Sequence, residues 1–201
     1  MTPPRLARWM LGRILPAGPE GDTIRGDLLE SVRRIQAHGI QVQAGMIVGF
    51  DHDDESIFEE QLRFIQDAQI PVSMTGMLQA MPRTPLYEGY RWLVHQLYDF
   101  RRYRRRTLDY LLHRGPQVHG GRNIRSGDVL RLGRVLRETL WRGGPRRAWF
   151  TLSLLGATLL RRPSVFKEAV SFAIVHKAFH DYVQSLLAEL DARVLELPEP
   201  R

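Results

Sequence analysis

Residues 27–81 alternate between helical and strand-like patterns, and this alternation is the strongest constraint on the fold. DLLESVRRIQAHG (27–39) and DHDDESIFEEQLRFIQDAQ (51–69) carry apolar residues at helical spacing, whereas IQVQAGMIVGF (40–50) and IPVSMTGMLQA (70–80) are apolar runs of strand length. Helices that alternate with strands predict a parallel sheet with right-handed crossovers. Because two strands are too few for a stable sheet, we expect a protein partner or further chain to complete this layer.

Local signals mark the ends of these elements. Asp27 and Glu30 have the spacing of a capping box, and Gly39 can adopt the left-handed conformation that ends a helix. The second half of the first strand is apolar on both faces, which is typical of a parallel sheet covered by helices. Asp51, with its acidic neighbours, is predicted to cap the following helix.

The remainder of the chain predicts helices only. They are a helix over 90–100, an arginine-rich helix over 101–115, a helix capped by Ser126, one opened by Pro145, and a long one from Ser164 to about 195. Three segments result: an irregular leader (1–26), an α/β segment with two parallel strands (27–88) and an all-helical C-terminal domain (89–201). The predicted fold is mostly α overall.

Composition excludes several classes of site. The chain has no cysteine, which excludes disulfides, cysteine nucleophiles and iron–sulfur clusters held by cysteine. Lys and Arg outnumber Asp and Glu by 29 to 22, and the formal net charge of +7 favours an anionic partner. The longest apolar run, 148–160, is shorter than the roughly 20 residues that span a bilayer. We expect a cytoplasmic protein that is not transmembrane, with peripheral membrane association left open.

Two basic segments are candidates for binding an anion. Arg101–Arg106 holds five arginines interleaved with aromatic residues, although a solvated helical face is the favoured interpretation. Segment 146–162 has arginines at both ends and Trp149 and Phe150 between them, which suits either a helix on an anionic membrane or a core helix. No helix-turn-helix, RNP or zinc-finger pattern is present, so we expect no sequence-specific nucleic-acid binding.

Other clusters predict structure rather than chemistry. The acidic run 51–55 lacks the spaced ligands and the glycine of a calcium loop. His176 and His180 lie one helical turn apart, but Lys177 stands where a zinc protease has glutamate, and no third ligand is evident. We therefore predict no metal site and no catalytic residue, with packing or partner-facing roles for the two histidines.

The segment AGMIVGFDHDDESIFEEQLRFIQDAQIPVSMTGMLQAMPRTPLY (44–87) resembles the late barrel segment of cobalamin-binding radical SAM proteins. In that family a strand ending in IVGFD, a helix with IF..Q..FI and a strand followed by P.T.LY occur in the same order. The arginine- and tryptophan-rich helices that follow resemble the helical C-terminal domain of these proteins. The resemblance covers roughly residues 27–185 and implies a partial βα barrel over 27–88.

This resemblance implies chemistry that the chain cannot complete alone. The family uses a [4Fe–4S] cluster, S-adenosylmethionine and cobalamin, and a Cys-x3-Cys-x2-Cys loop that holds the cluster has no counterpart here. Pro82-Arg83-Thr84 also replaces the usual Pro-Gly-Thr or Pro-Asn-Thr. We expect a truncated family member without autonomous catalysis and without cofactors of its own.

Gly45, Gly49, Phe50 and Asp51 correspond to positions that border the S-adenosylmethionine pocket in that family. Barrel active sites lie at this end of the strands. In a chain without a cluster, packing by the two glycines and capping by Asp51 are the favoured roles. A basic helical module that binds nucleic acid or a membrane surface is the alternative function.

Overall fold

The computed structural model describes residues 19–51, 53–78, 83–116, 133, 137 and 144–196. The elements in chain order are α1 (Pro19–Ala37), β1 (Gln43–Val48), α2 (Ser56–Asp67), β2 (Val72–Met77), α3 (Arg83–Tyr98), α4 (Phe100–His113), α5 (Gly144–Arg161), a 3-10 turn (Pro163–Val165) and α6 (Phe166–Glu196). Predictions for 1–18, His52, the loop after Gly115, the cap at Ser126 and the tail after Glu196 lie wholly or mainly outside these residues. The mostly α fold with two strands is confirmed.

β1 and β2 form the predicted parallel pair. Their register runs from Gln43 opposite Val72 to Val48 opposite Met77, and the Leu78 N–H extends the ladder by donating to the Val48 carbonyl at 2.7 Å. α2 crosses between the strands and packs its apolar side on the sheet, with Phe58, Leu62 and Ile65 buried. The alternation read from the sequence therefore corresponds to a real β–α–β unit.

The first helix begins earlier than predicted. α1 starts at Pro19, so Asp27 lies inside the helix instead of capping it, and residues 19–26 are helical rather than part of an irregular leader. Proline suits this start because its missing N–H falls where a helix has no internal acceptor. The predicted end is confirmed: Gly39 has φ +76° and its N–H donates to the Gln36 carbonyl at 2.9 Å.

The loop predicted before Tyr90 is also helical. α3 starts at Arg83, and Pro85 lies in its first turn, where the absent N–H removes no intrahelical bond. The boundary predicted between 88 and 89 therefore falls within one helix.

Two later helices have N-terminal caps that differ from the predicted ones. Asp99 Oδ1 caps α4 by accepting from the N–H groups of Arg101 and Arg102, at 3.1 Å each. Ser164 lies inside the 3-10 turn and does not cap α6, which begins at Phe166 and ends at Glu196, close to the predicted residue 195. Pro145 lies at the start of α5, as predicted.

One contiguous core joins the sheet to the helices. Tyr90 and Tyr98 of α3 reach the sheet through their hydroxyls, which donate to the carbonyls of Thr75 (3.0 Å) and Ser73. These bonds hold α3 at the outer edge of β2, and the alternating burial of both strands shows that the described helices cover one face of the sheet and not the other.

Candidate functional site: the open face of the sheet

One face of the two-stranded sheet is not covered by any part of the chain that the structure describes. Along β1, Ala44, Met46 and Val48 are buried while the residues between them are exposed. On β2, Met74 is 61% exposed and Gly76 is also exposed. We call this surface the open face; its members are Gln43, Gly45, Ile47, Met74 and Gly76. Parallel sheets normally have both faces covered, so an uncovered apolar face marks a surface that is built to meet something else.

Two of the open-face residues have no side chain. A Cβ placed on Gly45 or Gly76 would meet no atom within 4 Å. Neither glycine is therefore required by packing against the described residues, and the packing role favoured for Gly45 stays a prediction. A surface without side chains lets another backbone or a ligand approach the strands closely.

Gly49 closes the end of β1 and has the packing role that was favoured for it. Its φ is +93°, and an added Cβ would lie 2.3 Å from the carbonyl oxygen of Leu78. Only glycine tolerates both the backbone conformation and this contact. The strand ends stay side by side because residue 49 has no side chain.

Asp53 holds the loop after β1. Its Oδ2 accepts from the N–H of Gly49 at 2.8 Å and from the N–H of Phe50 at 3.0 Å. Asp51 is exposed and does not cap α2, contrary to the prediction. Asp54 Oδ1 accepts instead from the Ser56 N–H at 2.7 Å, and hydrogen bonds from Ser56 lower the pKa of Asp54.

The four residues predicted at the S-adenosylmethionine side thus divide into two groups. Gly49 and Phe50 meet at the Asp53 carboxylate, which already occupies their N–H groups. Gly45 lies farther down the strand, on the open face, and Asp51 is exposed in the turn after β1. A ligand at this edge would therefore meet the open face and not free backbone donors at Gly49 and Phe50.

The side chains that are available as ligands decide which cofactors this chain can bind. A cysteine-ligated cluster does not fit, because none of the 201 residues is cysteine. Among the residues that the structure describes, no group of three or more His, Asp or Glu side chains can hold a metal ion. The open face fits one wall of an organic-ligand pocket, since Gly45 and Gly76 leave space above both strands.

A shallow cleft lies beside the sheet, between the starts of α2 and α3. It has a volume of about 230 Å³ and is lined by Glu55, Phe58, Glu59, Pro85, Glu88, Gly89 and Trp92. Its three carboxylates disfavour an anionic ligand there.

A buried polar centre lies on the covered side of the sheet, and the sequence did not predict it. Arg106 was predicted on a solvated face, but it is 1% exposed and none of its guanidinium nitrogens has a hydrogen-bond partner among the described residues. The guanidinium carbon lies 4.8 Å from the centre of the Tyr103 ring, a cation–π contact. Burial lowers the pKa of Arg106 to about 10, so the group stays charged at neutral pH.

His176 lies against the same centre. Its Nε2–H donates to the Tyr98 carbonyl at 3.1 Å, and the rings of Phe100, Tyr103 and Phe150 surround it with centroids 4.4 to 5.0 Å away. Burial lowers the pKa of His176 to about 4. The predicted packing role is confirmed for His176, since the neutral ring fills an aromatic cluster.

These features describe an α/β unit of parallel strands, bare on one face, whose other face is continuous with a helical domain. The family model described as "Domain of unknown function (DUF4070)" matches residues 59–192. The chain belongs to this family, a domain that occurs in B12-binding radical SAM proteins. The resemblance read from the sequence is thereby confirmed.

Two curated proteins match part of the chain. Hopanoid C-2 methylase of Rhodopseudomonas palustris (strain TIE-1) is 36% identical over 85 residues, which cover 42% of this chain and 16% of that protein. Uncharacterized methyltransferase sll1242 of Synechocystis sp. (strain ATCC 27184 / PCC 6803 / Kazusa) is 36% identical over 63 residues, or 31% of this chain and 12% of that protein. The matches thus span less than a fifth of either relative. No solved structure matches the chain.

Proposed function

We propose that this chain acts as the C-terminal barrel-and-helix portion of a radical SAM methyltransferase. Its open face would form part of the wall around the reaction chamber. The cluster, S-adenosylmethionine and cobalamin would be held mainly by protein outside this sequence. Membership of the family and the two methylase relatives support the proposal.

The observation that carries the proposal is the bare, glycine-bearing face of a parallel β–α–β unit. In a βα barrel the helices cover the outside of the strands and the inner face meets the substrate end. Here α2 and α3 cover one face, and the other exposes Gly45, Ile47 and Met74. Each strand also has only one neighbouring strand among the described residues, although side chains of α2 and α3 already donate to the outward carbonyls of Ile47, Ser73 and Thr75.

A chain without cysteine has no thiolate with which to hold a [4Fe–4S] cluster. Anaerobic treatment of the purified chain with iron and sulfide should therefore give no cluster absorbance and no cleavage of S-adenosylmethionine. A stable cluster-bearing chain that cleaves S-adenosylmethionine would contradict the proposal.

A cytoplasmic location is also part of the proposal. The absence of cysteine, and so of disulfides, suits that location.

A chimaera tests the role of the open face. Residues 19–116 would replace the corresponding residues of the R. palustris methylase, and hopanoid methylation would be measured. We expect methylation to persist in the chimaera and to fall at least about tenfold with Gly76→Trp, because the indole would project from the open face into the chamber. The matched control is Gly26→Trp, which also enters open space but lies on α1. Equal activity of the two variants, or a folded but inactive chimaera, would contradict the proposal.

A basic binding module is a second candidate, supported by three arginines. Arg101, Arg102 and Arg105 are exposed on α4, although Arg106 no longer belongs to this face. Reversal of all three to glutamate should abolish any salt-sensitive association with an anionic polymer such as heparin. Reversal of Arg33, which is exposed on α1, is the control. An association that survives the triple reversal would exclude this surface.

A further inference from the structure

Helix α5 is apolar on nearly all sides, but only one side is covered. The covered side consists of Phe150, Thr151, Leu154, Leu155 and Thr158. The opposite side exposes Trp149 (73%), Leu152 (51%), Leu159 (55%) and Leu160 (86%). A helix that is hydrophobic all round is normally buried on all sides, so these four residues need an apolar environment that the described part of the chain does not supply.

The exposed residues form one stripe. Positions 149, 152, 156 and 159–160 recur every three or four residues, which places them on one helical side over about 16 Å. Gly156 lies in the middle of the stripe, and an added Cβ there would meet nothing within 4 Å. We call this surface the outer face of α5.

The outer face is flanked by positive charge only. α5 contains no acidic residue from Gly144 to Arg161. Arg146 and Arg161 are exposed near its two ends, and neither guanidinium forms an ion pair with a described residue. At 100° per residue, Arg146 lies about 60° from Trp149 and Arg161 about 100° from Leu160, so each cation lies beside the stripe and not on it. An apolar stripe with long cationic side chains beside its two ends is complementary to an anionic surface that has an apolar layer beneath it.

Two other arginines of this segment are already engaged inside the protein. Arg147 Nη2 donates to Asp181 Oδ1 at 2.7 Å. Arg162 Nη1 donates to the carbonyls of Leu111, Leu112 and Arg114 at 2.7 to 3.1 Å, at the end of α4. Phe150 is buried as well, so only part of the segment that suggested a membrane helix from sequence remains on the surface.

We propose that the outer face of α5 docks the protein on an anionic lipid bilayer. The leucines enter the acyl boundary, the Trp149 indole lies at the headgroup level, and Arg146 and Arg161 contact lipid phosphates. No helix of the described residues is long and apolar enough to cross a membrane, so α5 lies along the surface. The inference goes beyond the functions proposed above, because it assigns an anionic ligand to α5 and not to the arginines of α4.

Vesicle co-sedimentation tests the docking face. The full chain is mixed with phosphatidylcholine vesicles that contain or lack phosphatidylglycerol, at low and at physiological salt. We expect binding to the anionic vesicles and a loss of at least about tenfold with Leu152→Ser combined with Leu160→Ser. Arg146→Glu combined with Arg161→Glu should remove the dependence on phosphatidylglycerol. Ile47→Ser combined with Met74→Ser, on the open face, is the matched control and should bind like the parent.

Several outcomes would overturn the inference. One is no binding of the parent chain to anionic vesicles at low salt, and another is unchanged binding by both α5 variants. Loss of vesicle binding through reversal of Arg101, Arg102 and Arg105 alone would overturn it while leaving the anionic-partner function standing. A lipid-free dimer that Leu160→Ser dissociates would assign the outer face to a second copy of the chain.

Discussion

The open face of the sheet and the outer face of α5 are both apolar and are both left uncovered by the described residues, yet they differ in shape and in charge. The open face carries Gly45 and Gly76 with only Ile47 and Met74 projecting, and it has no cation among its members. The outer face of α5 projects Trp149 and three leucines between Arg146 and Arg161. Exposure of apolar surface alone therefore does not define a partner, whereas backbone shape and flanking charge do.

The backbones of the two faces also differ in completeness. A helix satisfies its own peptide groups, so α5 can dock without continuing into another element. A two-stranded parallel sheet leaves an outer edge of peptide groups on each strand, and here side chains of the helices pair only some of the outward carbonyls, those of Ile47, Ser73 and Thr75. This difference favours a protein neighbour for the sheet and a lipid surface for α5.

Substitution of Gly49 should have the largest effect, because it disturbs the strand end and the α3 side chain packed against it. Gly49→Ala forces a left-handed residue with a Cβ 2.3 Å from the Leu78 carbonyl, so the free energy of unfolding should fall by about 4 kcal/mol. Gly45→Ala in the same strand enters open space and should change it by less than about 0.5 kcal/mol. Urea unfolding measures both. Equal losses would show that the strand end is not held as described.

Acidification should weaken the core that lies beneath both faces. The pKa of His176 is about 4 when folded, below the 6.5 of an exposed imidazole, so the unfolded chain binds more protons between these values. The contribution of the neutral His176 ring to the free energy of unfolding is therefore fully present above pH 6.5. It falls by about 3 kcal/mol as the pH drops to 4. Arg106, Arg147 and His180 face the ring and oppose its protonation.

Comparison with variants isolates this contribution. The loss between pH 7 and 4 should be smaller in His176→Phe, whereas His113→Gln, at an exposed position, should keep the parent's slope. Urea midpoints at each pH give the result. An unchanged slope in His176→Phe would contradict the buried neutral imidazole.

Removal of the buried guanidinium should stabilise the chain. Arg106→Met keeps an unbranched side chain and removes a buried charge that has no hydrogen-bond partner among the described residues, so the free energy of unfolding should rise by about 1–2 kcal/mol. Part of the gain is offset by the lost contact with Tyr103. Arg105→Met, on the exposed side of α4, should change little. A clear loss of stability in Arg106→Met would mean that the guanidinium has a counter-ion.

The smallest effects on stability should come from the two faces themselves. Met74→Ser and Leu152→Ser each remove an exposed apolar side chain, so each should change the free energy of unfolding by less than about 0.5 kcal/mol. Thermal or urea unfolding measures this. A loss of more than about 2 kcal/mol at either position would show that the face is covered within the chain.

Periodicity and spacing predicted the β–α–β unit, because strands and amphipathic helices have different repeats. They did not distinguish Asp51 from Asp53, since the left-handed turn at Gly49 decides which carboxylate faces the strand end. They also missed Arg106, although its place three residues after Tyr103 and four before Tyr110 lies on the buried stripe of α4. The prediction placed Arg106 on a solvated face because of its charge and ignored its position on the helix. The open face could be expected only as a missing neighbour, because exposure is a property of the assembled fold.

A single pair of labels tests most directly whether the two faces have different partners. The chain has no cysteine, so Met74→Cys and Leu152→Cys each give one attachment site for an environment-sensitive fluorophore. On addition of anionic vesicles, we expect a blue shift for the label at 152 and none for the label at 74. A shift at both positions, or at 74 alone, would contradict the division between a lipid-facing α5 and a protein-facing sheet.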